Sequence, residues 1–263
     1  MREYQKIAVA STFSPRFLPV LAEAGRMTKR FACPLHVIHA SPCTPEKEAS
    51  FQEAFDTLGM EGETVVLWKS HKEPSEAILE AIREEAIDLL IAGALEKESE
   101  LRHFTGGVAR SLLRQARCDL LLLTHPRHPP MGWKKITAYI PPDGNAAHLP
   151  RVFKLAVDEE ATHVSLISVL TPFDLLRNEE EPSVVQERIE AFCKDTGDFQ
   201  GVVDSRIVRS NTGFSLCDVI QAQETDLFVV GFGEENEKHS MPSHMDWLFQ
   251  VIPSDIWVIR NRL

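Results

Sequence analysis

The chain has 263 residues, 43% hydrophobic and 25% charged, with a formal net charge of −11 at pH 7 and an isoelectric point near 5.4. That length suits two domains of about 130 residues, each able to bury a core, and the composition excludes a disordered chain. The acidic balance weighs against a nucleic-acid partner or an anionic membrane surface, both of which call for a basic face, and no apolar run is long enough to span a bilayer.

An apolar run at 6–11 (Lys-Ile-Ala-Val-Ala-Ser) begins almost at once, with no signal-type segment before it, so a cytoplasmic location is expected. Phe17, Leu18, Leu21 and Met27 then recur at helical spacing, and 35–40 is a second strand. A polar helix at 46–58, a strand at 64–69 and a helix at 74–86 follow, with Pro74 suited to a first helical turn. A strand at 88–92, a helix at 106–116 and a strand at 119–123 complete the unit. The segment from His125 to Trp133 carries three prolines and a glycine, which neither a helix nor a central strand tolerates. It separates a domain at 1–127 from one at 134–263, with 128–133 as linker. The second domain repeats the order: strands at 135–140, 164–170, 202–208, 226–230 and 255–260, helices at 146–160, 182–195, 214–223 and 244–252.

The repetition extends to the residues themselves. Asp88-Leu-Leu-Ile-Ala-Gly93 returns as Asp226-Leu-Phe-Val-Val-Gly231, Lys6-Ile7 as Lys135-Ile136, and Asp119-Leu-Leu-Leu-Leu as Asp255-Ile-Trp-Val-Ile, at offsets of 138, 129 and 136. Strands alternating with helices imply the α/β class: two tandem open five-stranded parallel sheets with helices on both faces.

Ligands of such sheets collect at the carboxyl ends of the strands, where helix N-termini present backbone N–H groups. After its fourth strand the first copy reads Gly93-Ala-Leu-Glu96, then nine residues, then Gly106-Gly107-Val108-Ala109 opening a helix. The twice-repeated strand order and this tail resemble the universal stress protein family, in its tandem two-domain form. Nucleotide-binding members carry Gly-x-x-Gly, nine residues, then Gly-Ser or Gly-Thr, with an Asp after the first strand. The resemblance assigns a nucleotide pocket to Thr12, Ala40, Gly93, Glu96, Gly106, Gly107 and Val108. Here Glu96 replaces the second glycine, Gly107 the Ser or Thr, and Thr12 the Asp. A carboxylate at the loop opposes a triphosphate and removes glycine's freedom of approach. A bland reading of Gly106 and Gly107, as a tight turn into the last helix, stands beside the nucleotide one. In the second copy Gly231-Phe-Gly-Glu234 is followed nine residues later by His244-Met245, which argues against a phosphate cradle, and Asp143 serves equally as turn residue or ligand.

The histidine pairs His36 and His39, His125 and His128, and His239 and His244 show no metal-ligand spacing. Cys33, Cys43, Cys118, Cys193 and Cys217 form no Cys-x-x-Cys pair and read as reduced, small side chains. No nucleophile elbow, Walker lysine or paired carboxylates are present, so no enzyme is expected. The resemblance implies a non-catalytic stress-response protein acting through protein interactions. Its domains would pair as an internal pseudo-dimer through the final strands at 120–123 and 256–259, with a further homodimer left open. Two alternatives remain. One is an ATP- or AMP-binding sensor using the first domain. The other is an interaction module contacting a transporter or enzyme through loops 41–50 and 171–183.

Overall fold

The structure is a computed structural model, and it describes residues 4–60, 64–70, 73–94, 96–99, 102–105, 107–172, 181–209, 214–232 and 254–260. The chain divides into two compact units, one built from Arg2–Leu95 with Gly106–Met131, the other from Gly132–Leu263 with Glu96–Thr105. The central apolar runs become strands because, covered on both faces, they bury nearly all their side chains, whereas the edge runs Thr64–Trp68 and Val202–Arg209 stay half-buried to exposed.

In the N-terminal unit the order is β1 (Ile7–Ser11), α1 (Phe17–Phe31), β2 (Leu35–His39), α2 (Pro45–Leu58), β3 (Thr64–Trp68), α3 (Pro74–Glu84) and β4 (Leu89–Gly93). After β4 the chain passes through β5 (Glu96–Ser99) and β6 (Arg102–Thr105), which cluster with the other unit, and returns to this one with α4 (Gly107–Gln115) and β7 (Asp119–Leu123). Its parallel strands lie in the order β3-β2-β1-β4-β7. In the C-terminal unit β8 (Lys135–Tyr139), α5 (Leu149–Asp158), β9 (His163–Leu170), α6 (Pro182–Phe192), β10 (Val202–Arg209), α7 (Phe214–Ala222), β11 (Leu227–Phe232) and β12 (Asp255–Arg260) give the parallel order β10-β9-β8-β11-β12. The two orders are the same topology. Leu90, Ile91, Phe228 and Val229, at the centres of β4 and β11, are each 0% exposed, as expected of strands covered on both faces.

The repeated residues make the same hydrogen bonds twice. The Asp88 carboxylate accepts from the backbone N–H groups of Gln5 and Lys6 at 2.9 and 3.1 Å, and that of Asp226 accepts from those of Lys134 and Lys135, both at 2.8 Å. Each ties the strand that opens its unit to the strand beside it. Tyr4 donates its hydroxyl to Asp119 at 2.6 Å, and Trp133 donates Nε1–H to Asp255 at 3.0 Å, so the last strand is fastened likewise. The backbone follows the repeat too, with left-handed residues Ala32 and Ala86 in one unit and Glu160 and Glu224 in the other closing matched helices at φ of 48 to 52°.

Helix starts obey local chemistry. Thr44 caps α2 by accepting from Lys47 N–H at 3.4 Å, with Pro45 at the first helical position and Glu46 and Glu48 in the first turn. Pro74 and Pro182 open α3 and α6 in the same manner. Loop 41–50 is therefore shorter than expected, because residues from Pro45 onward are helical. The nine-residue spacing after Glu96 holds an antiparallel pair of strands, in which Glu96 pairs with Thr105 and Ser99 with Arg102. Backbone groups that an open loop would leave for a ligand pair with each other there. The expected helix at 244–252 and most of loop 171–183 lie outside the described residues. No helix among the described residues is long and apolar enough to cross a membrane.

Candidate functional site

In the N-terminal sheet the strand order reverses between β1 and β4, which places the ligand crevice of this fold at the carboxyl ends of β1, β2 and β4. Parallel register aligns the last residues of three strands there: Ser11 pairs with His39, and His39 with Trp68. Residues paired in this way point to the same face, so His39 and Trp68 meet the helices above. The phenylalanines of those helices recur at i and i+4, which puts Phe51 and Phe55 of α2 on one stripe. Phe13, in the turn before α1, joins them.

An aromatic cluster results. The Phe51 ring lies 4.7 Å from Phe13, 5.6 Å from Phe17, 5.4 Å from His39, 5.5 Å from Trp68 and 6.0 Å from Phe55, measured between centroids. Phe13 is also 5.0 Å from His39, and His39 is 5.5 Å from Trp68. Most contacts are edge-on or tilted, the arrangement ring quadrupoles favour. Phe51 is 1% exposed and His39 8%, whereas Phe13 is 43% exposed at the rim. Burial lowers the His39 pKa, opposed by the Ser11 carbonyl 3.3 Å from Nδ1 and reinforced by Lys47, so the imidazole is neutral at physiological pH.

Beside the rings the crevice is closed by an arginine. Arg16, at the N-cap of α1, donates through Nη1 to the carbonyls of Ala94 at 3.0 Å and Thr124 at 3.1 Å, bridging the chain after β4 to the chain after β7. A Cβ on Gly93 would stand 3.2 Å from Val20 Cγ2, so this glycine serves the close approach of α1 to β4.

The sequence-derived pocket is thus only partly assembled. Thr12 is exposed and its carbonyl accepts from Ser14 N–H at 2.8 Å; Ala40 follows His39 at the end of β2 and is half-buried. Gly107 opens α4 with no described residue within 4 Å of where its Cβ would be, and Val108 behind it is half-buried. Glu96 begins the hairpin, away from the open-loop conformation expected of it, and Gly106 lies outside the described residues. Sequence reading missed Phe13, Arg16, Phe17, Phe51 and Trp68. The signal available was the spacing of the four phenylalanines, which periodicity alone assigns to a core.

The corresponding end of the C-terminal sheet is also closed from within. His148, the N-cap of α5, is 0% exposed and lies over Gly231, whose Cβ would meet its Nδ1 at 2.3 Å. Among the described residues neither ring nitrogen has a hydrogen-bond partner. Burial lowers its pKa to about 4, opposed in part by the Tyr139 backbone, which falls short of full hydrogen-bond geometry, and reinforced by Arg151. Asp143 accepts from Asn145 N–H at 2.9 Å, a local turn. Gly233, Glu234, His239, His244 and Met245 lie outside the described residues. Among the described residues no three His, Cys, Asp or Glu side chains gather as a metal site, and the five cysteines are thiols outside any disulfide.

Two units with one parallel strand topology define a tandem α/β protein. The universal stress protein family model matches residues 3–124, which places the N-terminal domain in that family. The fold is shared along nearly the whole chain with solved proteins of low sequence identity. A functionally unknown protein from Pseudomonas aeruginosa PAO1 and a putative universal stress protein from Pseudomonas aeruginosa UCBPP-PA14 each have a TM-score of 0.74 at 15% identity, over 98% of this chain and 93% of theirs. A universal stress protein from Archaeoglobus fulgidus DSM 4304 has a TM-score of 0.67 at 12% identity, over 98% of both chains. No curated protein is matched by the sequence.

Proposed function

We propose that this is a non-catalytic, cytoplasmic stress-response protein of the universal stress type that acts through protein interactions, its nucleotide crevice being filled by its own side chains. The observation that carries the reading is the aromatic cluster of Phe13, Phe17, His39, Phe51 and Trp68 at the strand ends where a nucleoside would lie. Arg16 adds to it by spending its guanidinium on the Ala94 and Thr124 carbonyls. Glu96 and Thr12, in place of the family's glycine and aspartate, point the same way. The competing reading, an ATP or AMP sensor, draws on Gly107, which leaves the start of α4 unobstructed by described neighbours.

Calorimetry with ATP, AMP and cyclic AMP, with and without magnesium, separates the two. No saturable binding is expected, and affinity capture from stressed cells should recover a protein partner through the intact chain. Saturable ATP binding to the wild type overturns the proposal.

A further inference from the structure

The outer strand of the C-terminal unit, β10, pairs with β9 along its full length in unbroken parallel register and has no strand beyond it among the described residues. Val202 N–H donates to the Thr162 carbonyl at 3.0 Å, so the backbone of Val202 turns toward β9. Backbone groups alternate along a strand, which directs those of Val203, Ser205, Ile207 and Arg209 away from the sheet. Long edges are commonly blunted by a proline or a bulge. β10 has neither, its central charges Asp204 and Arg206 are of opposite sign, and Val202 is 61% exposed.

The order of residues along this edge supplies the occupant. Val202-Val-Asp-Ser-Arg-Ile-Val208 reads apolar, apolar, acid, serine, base, apolar, apolar, which is complementary to its own reverse. We propose that β10 is a homodimer interface, on which the β10 strand of a second copy lies antiparallel about a twofold axis at Ser205. In that register Ser205 faces Ser205, Asp204 faces Arg206, Val203 faces Ile207 and Val202 faces Val208. Residues opposite one another in antiparallel strands share a face, so each acid meets a base and each apolar side chain meets another. The outward backbone groups match too, since Val203 with Ile207 and Ser205 with Ser205 exchange both N–H···O bonds.

Charge selects this register over its neighbours. Moving the axis by one residue keeps the outward groups paired but sets Asp204 against Asp204, or Arg206 against Arg206, and like charges directly opposite destabilise a strand pair. Asp204 is held in place for the contact. It accepts from Ser165 Oγ at 2.5 Å and lies 3.0 Å from His163 Nε2, yet its side chain stays 46% exposed, and a carboxylate has acceptor sites enough for a guanidinium as well. Arg206 is exposed. This interface goes beyond the interaction role proposed above, which names no partner, and does not depend on it.

Sedimentation equilibrium tests it on the full chain as wild type, Asp204→Arg, Arg206→Asp and the double exchange, with circular dichroism confirming the fold of each. The wild type should form a dimer as concentration rises. Each single variant sets like charges opposite one another on both sides of the axis and should dimerise at least about tenfold more weakly. The double exchange should restore wild-type association, because acid again faces base. A mixture of the two single variants should form a mixed dimer more tightly than either variant pairs with itself, since one carries both bases and the other both acids. Should Asp204→Arg fail to fold, Arg206→Asp, at an exposed residue, decides the matter alone. A wild type that stays monomeric at every concentration, or a dimer that Arg206→Asp leaves as tight as wild type, overturns the proposal. A mixture of folded single variants that associates no better than its components overturns it as well. Saturable ATP binding to the wild type removes the proposed function instead and leaves this interface standing.

Discussion

Acidification should unfasten the C-terminal domain through one side chain, His148. Its ring is fully buried over Gly231 with no hydrogen-bond partner for either nitrogen among the described residues, and Arg151 stands near enough to disfavour a second positive charge. The imidazole takes its proton near pH 6.5 once the chain unfolds, but only near about 4 while folded. Between those values the unfolded state holds more protons, so stability falls as pH falls through this window and is flat above it. At about 1.4 kcal/mol for each pH step of one, the loss is roughly 2 kcal/mol at pH 5 and roughly 3 kcal/mol in full. Other groups titrate over the same range, so the variant His148→Leu isolates the effect. Urea unfolding at pH 7.5 should place His148→Leu within about 1.5 kcal/mol of wild type, because the two side chains are of similar volume. At pH 5.0 the wild type should have lost about 2 kcal/mol more than the variant. Hydrogen exchange at the Tyr139 and Val229 amides assigns that loss to this domain. Parallel pH dependence in the two proteins would refute the reasoning, since it would mean that the folded ring is already protonated or already hydrogen-bonded.

Leu90→Ala, at a position 0% exposed in the centre of β4, should cost about 2 to 5 kcal/mol in chemical denaturation, whereas Leu90→Met should cost less than about 1.5. A small loss for Leu90→Ala would contradict full burial between two helical layers. Asp226→Ala removes the acceptor of two backbone N–H groups and should cost about 1 to 3 kcal/mol, with faster exchange at the Lys134 and Lys135 amides. Unchanged exchange there would show that the repeated aspartate does not hold β8.

The tandem organisation, the strand order and the buried centres of β4 and β11 were legible in the sequence because they rest on local signals: period, proline and glycine punctuation, and a repeat that carries its own hydrogen-bonding aspartates. Even Pro74 and the start of α4 could be placed from one-dimensional chemistry. The site was legible only as a set of positions inherited from a family motif. Gly93 was assigned to a phosphate cradle from its motif alone, and its close approach to Val20, 73 residues away in the chain, shows only in the fold. The strands on either side of the turn after Glu96 pair with each other, which no spacing of glycines announces. His148 and Gly231 are likewise distant in sequence and meet only because α5 crosses the reversal of strand order. Periodicity marks Phe17, Phe51 and Phe55 as apolar faces without saying what they face. The register Ser11–His39–Trp68 decides that, since it brings three strand ends into one row beneath two helices and sets Phe13 on top. The sequence determined which residues would be inside; which of them would meet at the strand ends depended on pairing and packing between distant segments, and so on the tertiary structure alone.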